Sequence, residues 1–433
     1  MIYIIADDLT GANDTGVQFC KQGYDVTVAI EQIPDGSKLK HNKVGVIDTE
    51  TREVKKSEAV KKLNQILSKL QFTEKDLIYK KVDSTLRGNV GAEIELIMEL
   101  FDKDLCILTP SFFSSKRLTI GGYLIVNDEP LGSSEYNQRN LDSGEASYIP
   151  SILNEQSQFE VGKIELKEVI KGRKSILREL KKLSAAGKKI LVVDSVNDID
   201  LENIFAAGEE LDEDVLYSGS AGLANLIAKK HHLEKSASDY LINKSQVLIV
   251  NGSRSQTAKT QVDYFIDNFD VFELEIDIKK LLEDDEELNK NLKQQIAKYN
   301  GDQYLVIRPA PYYSDEEVIN NLLVKNDLSF RQLGEKIRDK LGEIAALIID
   351  KFAVQNVIVT GGDTLIGICR AIKADKLNVL GEVVDGVPIT QPILDKSSEN
   401  HLNFITKAGG FGERDTISEV VKIIERRTDR NHE

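Results

Sequence analysis

Two adjacent carboxylates, Asp7 and Asp8, stand where a short apolar run (Ile2, Ile4, Ile5) ends and Thr10-Gly11-Ala12-Asn13 opens a helix. Neighbouring residues at a strand end point to opposite faces, so one carboxylate can enter a crevice while the other anchors the loop or caps the helix. An acid placed there can take a proton from a hydroxyl or hold Mg²⁺. Both can equally be plain loop and cap carboxylates. A second stretch, Lys80-Lys81-Val82-Asp83-Ser84-Thr85-Leu86-Arg87-Gly88-Asn89, gathers cation, carboxylate, two hydroxyls, a guanidinium and a glycine. Arg87 can grip a carboxylate bidentately, and Asp83 and Ser84 suit hydroxyl groups, a set that fits a polyol acid. In the plainer alternative Asp83 caps the helix and Arg87 lies in solvent. Asp48-Thr49-Glu50-Thr51-Arg52 closes another strand and offers Arg52 as a second cation for an anionic ligand.

The third group lies in the second half. In Asn356 to Arg370, NVIVTGGDTLIGICR, a strand delivers Gly361-Gly362 to a helix start, where backbone N–H groups and the helix dipole favour a phosphate. Asp363 and Thr364 can cap that helix or reach a metal or a nucleotide hydroxyl. Asn251-Gly252-Ser253-Arg254-Ser255 and Lys407-Ala408-Gly409-Gly410-Phe411-Gly412 repeat the design, and three such loops together point to nucleotide phosphates. Neither G-x-x-x-x-G-K-[ST] nor a strand-following G-x-G-x-x-G is present. Ser218-Gly219-Ser220-Ala221-Gly222 can bind an anion, although small residues there more often permit close packing. His231, His232 and His401 have no carboxylate partner nearby in sequence, so no histidine-driven nucleophile is expected. The run Glu283 to Glu287 reads as a solvated helix face.

These loops need strands and helices to hold them. From Met1 to about His232, β-branched runs alternate with amphipathic stretches, the pattern of βα units and a mostly parallel sheet. Strands are expected at Val26 to Ile30, Val44 to Asp48, Leu77 to Lys81, Asp104 to Leu108, Ile190 to Asp194 and Val215 to Tyr217. Helices are expected at Lys55 to Leu70, Gly91 to Leu100 and Lys174 to Ala186. Pro110 to Pro150 breaks the rhythm and reads as a hairpin excursion. After a polar linker at Glu234 to Lys244 a second series runs through strands at Val247 to Val250, Val271 to Ile276, Tyr304 to Ile307, Asn356 to Thr360 and Phe404 to Thr406. The expected fold is therefore α/β with two domains, 1–235 and 245–433, each a mostly parallel sheet flanked by helices, and an active site in the cleft between them.

With 433 residues, 41% of them hydrophobic, the chain can bury two cores. Its 56 Lys and Arg against 71 Asp and Glu leave a net charge of −15, which argues against nucleic-acid binding. Three cysteines without metal-ligand spacing, no basic leader and no apolar run near the length of about eighteen residues that a membrane span needs lead to an expected cytoplasmic location.

IADDLTGANDTG, KKVDSTLRGNVGAE, NGSRSQTAKTQ, TGGDT and KAGGFG, in this order, resemble the four-carbon acid sugar kinases over essentially the whole chain. The resemblance implies an N-terminal domain that binds a sugar acid, a C-terminal domain that binds ATP, and γ-phosphoryl transfer to a terminal hydroxyl, with Mg²⁺ expected beside the glycine-loop amides on the triphosphate. Asp7, Asp8, Arg52, Asp83, Ser84, Thr85 and Arg87 would then contact the acid, with Asp7 or Asp8 as base. Ser253, Gly361, Gly362, Asp363, Thr364, Gly409 and Gly410 would contact ATP. NDTG looks more like the D-threonate branch than the oxo-tetronate branch. D-erythronate or 3-oxo-tetronate kinases, and a sensor of sugar acid or nucleotide without turnover, are the alternatives, and a homodimer is left open.

Overall fold

The computed structural model describes residues 1–33, 43–73, 76–134, 143–230, 246–394 and 402–430. The expected linker at Glu234 to Lys244, as well as His231, His232 and His401, lies outside them. The chain divides into two units, Met1–Ala237 and Ser238–Glu433.

In the first unit a parallel sheet has the strand order Asp25–Ile30, Lys43–Asp48, Ile2–Ala6, Leu77–Lys81, Val215–Gly219, Leu105–Thr109, Ile190–Val193 and Val161–Ile164. Leu105–Thr109 and Ile190–Val193 are buried along their whole length, as strands covered on both faces must be. Ile5, Ile47, Ile78, Leu63, Ile94, Leu108 and Val192 share one core under the helices Lys56–Leu67 and Val90–Leu100. Each such side chain contributes about 1.5–3 kcal/mol by leaving water. The strand Val161–Ile164, at the sheet edge, was not expected from the sequence.

The excursion forms a three-stranded antiparallel sheet, Arg117–Ile120, Tyr123–Val126 and Glu129–Pro130. Gly121-Gly122 and Asn127-Asp128 make its turns, all four with positive φ. Asp194, fully buried at the end of its strand, accepts from Gly121 N at 2.6 Å and Gly122 N at 2.8 Å and so pins the first turn.

In the second unit the order is Val271–Ile276, Tyr304–Pro309, Val247–Asn251, Asn356–Thr360, Asn403–Lys407, Val387–Pro392 and Lys376–Val384. The first five strands run parallel, and the last two are an antiparallel addition that the sequence reading did not foresee. The acidic stretch is two helices, Ile278–Glu283 and Asp285–Ile296, with Asp284 capping the second and the acidic run exposed, as expected. No helix among the described residues is long and apolar enough to cross a membrane.

Candidate functional site

Parallel pairing sets the ends of Ile2–Ala6, Lys43–Asp48 and Leu77–Lys81 side by side, which brings three loops together at the carboxyl edge of the first sheet. Arg52 is the centre of this corner. Its Nη2 and Nε donate to the two oxygens of Asp7 at 2.7 and 3.1 Å, Nη1 donates to Asp8, and Asp83 lies 3.8 Å from Nη1. The Arg52 side chain is only 8% exposed. It is paired with Asp7 and Asp8 and lies beside Asp83, so it orders the acids of the corner. Burial lowers its proton affinity, but Asp7, Asp8 and Asp83 raise it well beyond that, and it stays charged.

The two leading aspartates differ. Asp7 is 3% exposed, and its carbonyl accepts from Thr51 N and Arg52 N. Burial pushes its carboxyl up, yet Arg52, Lys80 and Lys81 outweigh that and hold it below the usual range, which leaves it weakly basic. Asp8 is 20% exposed and caps the helix Leu9–Cys20 by accepting from Gly11 N at 2.9 Å. The cap reading therefore holds for Asp8, which also carries the more accessible carboxylate. Burial with Glu50 and Asp8 nearby pushes Asp48 well above the carboxylate range.

Asp83 does not cap the following helix, whose N-cap position is Asn89. It accepts from Thr85 N at 3.2 Å, from the Thr85 hydroxyl, and from Arg87 Nε and Nη2 at 2.9 and 3.0 Å. Burial works against its charge, but Arg52 and Arg87 hold it well below the usual range. Arg87, with 35% of its side chain exposed, is the accessible guanidinium of the corner, and Ser84 sits half-buried on the same turn. Behind them is a pair the sequence reading did not single out. Lys80 and Glu93, both 1% exposed, lie 2.5 Å apart, and Glu93 accepts from Thr51 Oγ1 at 2.7 Å. Alternation along the strand sends Lys80 to the opposite face from Lys81, a signal that only the long-range partner makes readable. Ser218 and Ser220 donate to the carbonyls of Lys80 and Ser111, which favours the packing reading for that loop.

In the second unit the three glycine loops converge. Ser255 Oγ donates to Gly409 O at 2.6 Å, and Ser253 Oγ lies where a Cβ on Gly409 would collide with it. Gly361, with φ +99°, precedes the helix Gly362–Ile372 and has no side-chain cap, leaving the first amides of that helix without one. Thr364 is buried, its hydroxyl donates to Thr360 O at 3.1 Å, and its Oγ1 lies beside Gly252 and Gly361. Asp363 is exposed in the first turn, and Gly410 is exposed on its own loop. Lys407, which was expected only as part of its glycine loop, is 2% exposed and donates to Ala408 O and Phe411 O at 2.8 Å, fixing the loop's path. Burial lowers its ammonium to about 8. Burial raises the Tyr313 phenol, against the pull of Arg254 over its ring and with a further push from Asp363.

The acidic, guanidinium-lined corner and the converging glycine loops fall in two units that each match a family description. Residues 2–227 match the family described as Sugar-binding N-terminal domain, and residues 248–417 match the Nucleotide-binding C-terminal domain. The chain belongs to the four-carbon acid sugar kinase family. It is 31% identical to a D-threonate kinase of Salmonella typhimurium over 98% of both chains. It is 27% identical to a D-erythronate kinase of Heliobacterium modesticaldum over 88% of both. The fold is that of a solved Haemophilus influenzae protein, with a TM-score of 0.71 at 21% identity, covering 98% of this chain and 100% of that one.

Proposed function

We propose that this chain transfers the γ-phosphoryl group of ATP to the terminal hydroxyl of D-threonate, giving the 4-phosphate. The observation that carries the reading is the corner itself: an accessible guanidinium, Arg87, held beside an accessible aspartate-bearing turn in a chain whose full-length relative is a D-threonate kinase. Arg87 grips the substrate carboxylate. Asp8 accepts the hydroxyl proton as the oxygen bonds to γ-phosphorus and the bond to ADP breaks, while Arg52 and Asp7 keep Asp8 in place. The acid is assigned to residues 1–235 and the nucleotide to 245–433, with Ser253, Gly361, Gly362, Gly409 and Gly410 presenting amides and hydroxyl to the phosphates.

Among the described residues no group of three or more His, Cys, Asp or Glu could hold a metal ion. Mg²⁺ needs only one or two carboxylates beside phosphates and water, and exposed Asp363 in the glycine loops fits that demand. When bound, the ion neutralises charge on the triphosphate.

ADP release measured with D-threonate, D-erythronate and 3-oxo-tetronates tests the assignment. D-threonate is expected to give the highest kcat/KM, and absence of turnover with every four-carbon acid would sink it. Lys407 adds a pH test. Its folded value of about 8 lies below the ordinary 10.5, so the native loop loses the proton first, and between these values stability rises with pH while the loop loses a donor. The KM for ATP is expected to rise as pH passes about 8, and in Lys407→Met to be high at every pH without that inflection. A wild-type profile flat from pH 7 to 9 would remove Lys407 from nucleotide binding.

A further inference from the structure

Arg254 sits in the loop Asn251–Ser255, immediately before the helix Gln256–Asn268, between two serines that pack on the Gly409 loop. Its guanidinium carbon lies 4.2 Å from the centroid of Phe330 and 5.4 Å from that of Tyr313. Among the described residues it has no carboxylate partner, and its Nε is buried without a hydrogen bond. That is a costly state for a guanidinium, since a buried donor left unpaired forfeits a contact it had in water. Phe330 is itself 42% exposed, and its position is set by the capping box of Ser329 and Gln332 at the start of Phe330–Phe352.

A guanidinium packed against aromatic rings, which accept no hydrogen bond along its edge, keeps N–H groups for an anionic acceptor. The neighbouring groups are phosphate-binding in kind: a helix N-terminus and two glycine loops. We infer that Arg254 binds the β-phosphate of the nucleotide, with Phe330 and Tyr313 packing against the guanidinium. The inference rests on the nucleotide reading of the second unit and goes beyond it, because the glycine loops alone account for phosphate binding without any side-chain cation.

Calorimetric titration of wild type, Arg254→Gln and Arg254→Lys with ATP, ADP and AMP tests it. Arg254→Gln is expected to weaken ATP and ADP by about tenfold or more and AMP by less than about twofold, the pattern of one lost charge-assisted contact beyond the first phosphate. Arg254→Lys, which keeps the charge without the planar, multi-donor guanidinium, is expected to recover only part of that loss. An ATP affinity in Arg254→Gln within about twofold of wild type overturns the inference and leaves the nucleotide reading standing. Equal losses for all three nucleotides together with a lower melting temperature also overturn it, by marking a structural role. If the wild type binds none of the three, the nucleotide reading itself falls and the inference with it.

Discussion

Asp8→Asn is expected to lower kcat with D-threonate by about 10²–10⁴-fold, the usual contribution of a positioned general base. The fold should survive, because Asn caps a helix as well as Asp does and its Oδ1 can keep the bond from Gly11 N. The ATP dissociation constant should stay within about twofold, since the triphosphate is assigned to the glycine loops and not to Asp8. Asp7→Asn provides the contrast. It weakens the bidentate grip on buried Arg52, so its first effect is a fall in stability approaching the roughly 3–5 kcal/mol typical of breaking a buried ion pair. If Asp8→Asn kept more than about a tenth of wild-type kcat, Asp8 would not be the base.

The second large effect is expected from Arg87→Ala, which should raise the KM for the sugar acid by about 10–100-fold with little change for ATP. The reason lies in how the two guanidiniums are used. Arg52 is enclosed by Asp7, Asp8 and Asp83, whereas Arg87 pairs with Asp83 and stays a third exposed. Steady-state kinetics with each substrate varied in turn decide the matter. Loss of ATP binding with an unchanged acid KM would reverse the assignment of the two units.

Much of this architecture is legible in the chain because its strands announce themselves. Leu77–Lys81 and Asn356–Thr360 fall where apolar runs stop at polar, glycine-bearing turns, and both match their expected bounds. The edge strand Val161–Ile164 is short and half-buried, so its periodicity is weak. The pair Lys376–Val384 and Val387–Pro392 turns at Asp385-Gly386, a two-residue hairpin signal rather than the strand-to-helix pattern of the rest of the unit. At the site the residue types were readable and the pairings were not. Arg52 and Asp7 are 45 positions apart, and Lys80 and Glu93 meet only because a strand and the helix that follows it fold back on each other. A sequence shows that Arg52 is a cation but not that three carboxylates already claim it. Arg254 is the converse case, a cation within a glycine loop that, among the described residues, packs on aromatic rings without a carboxylate partner, which is visible only in three dimensions.

The most direct test is the product itself. Phosphorus NMR of a reaction containing the protein, D-threonate, ATP and Mg²⁺ should show one phosphomonoester on the C4 oxygen for every ADP formed, and no ADP when the acid is left out. ADP appearing with free phosphate at the same rate in the absence of the acid, or an ester at another carbon, would contradict the account.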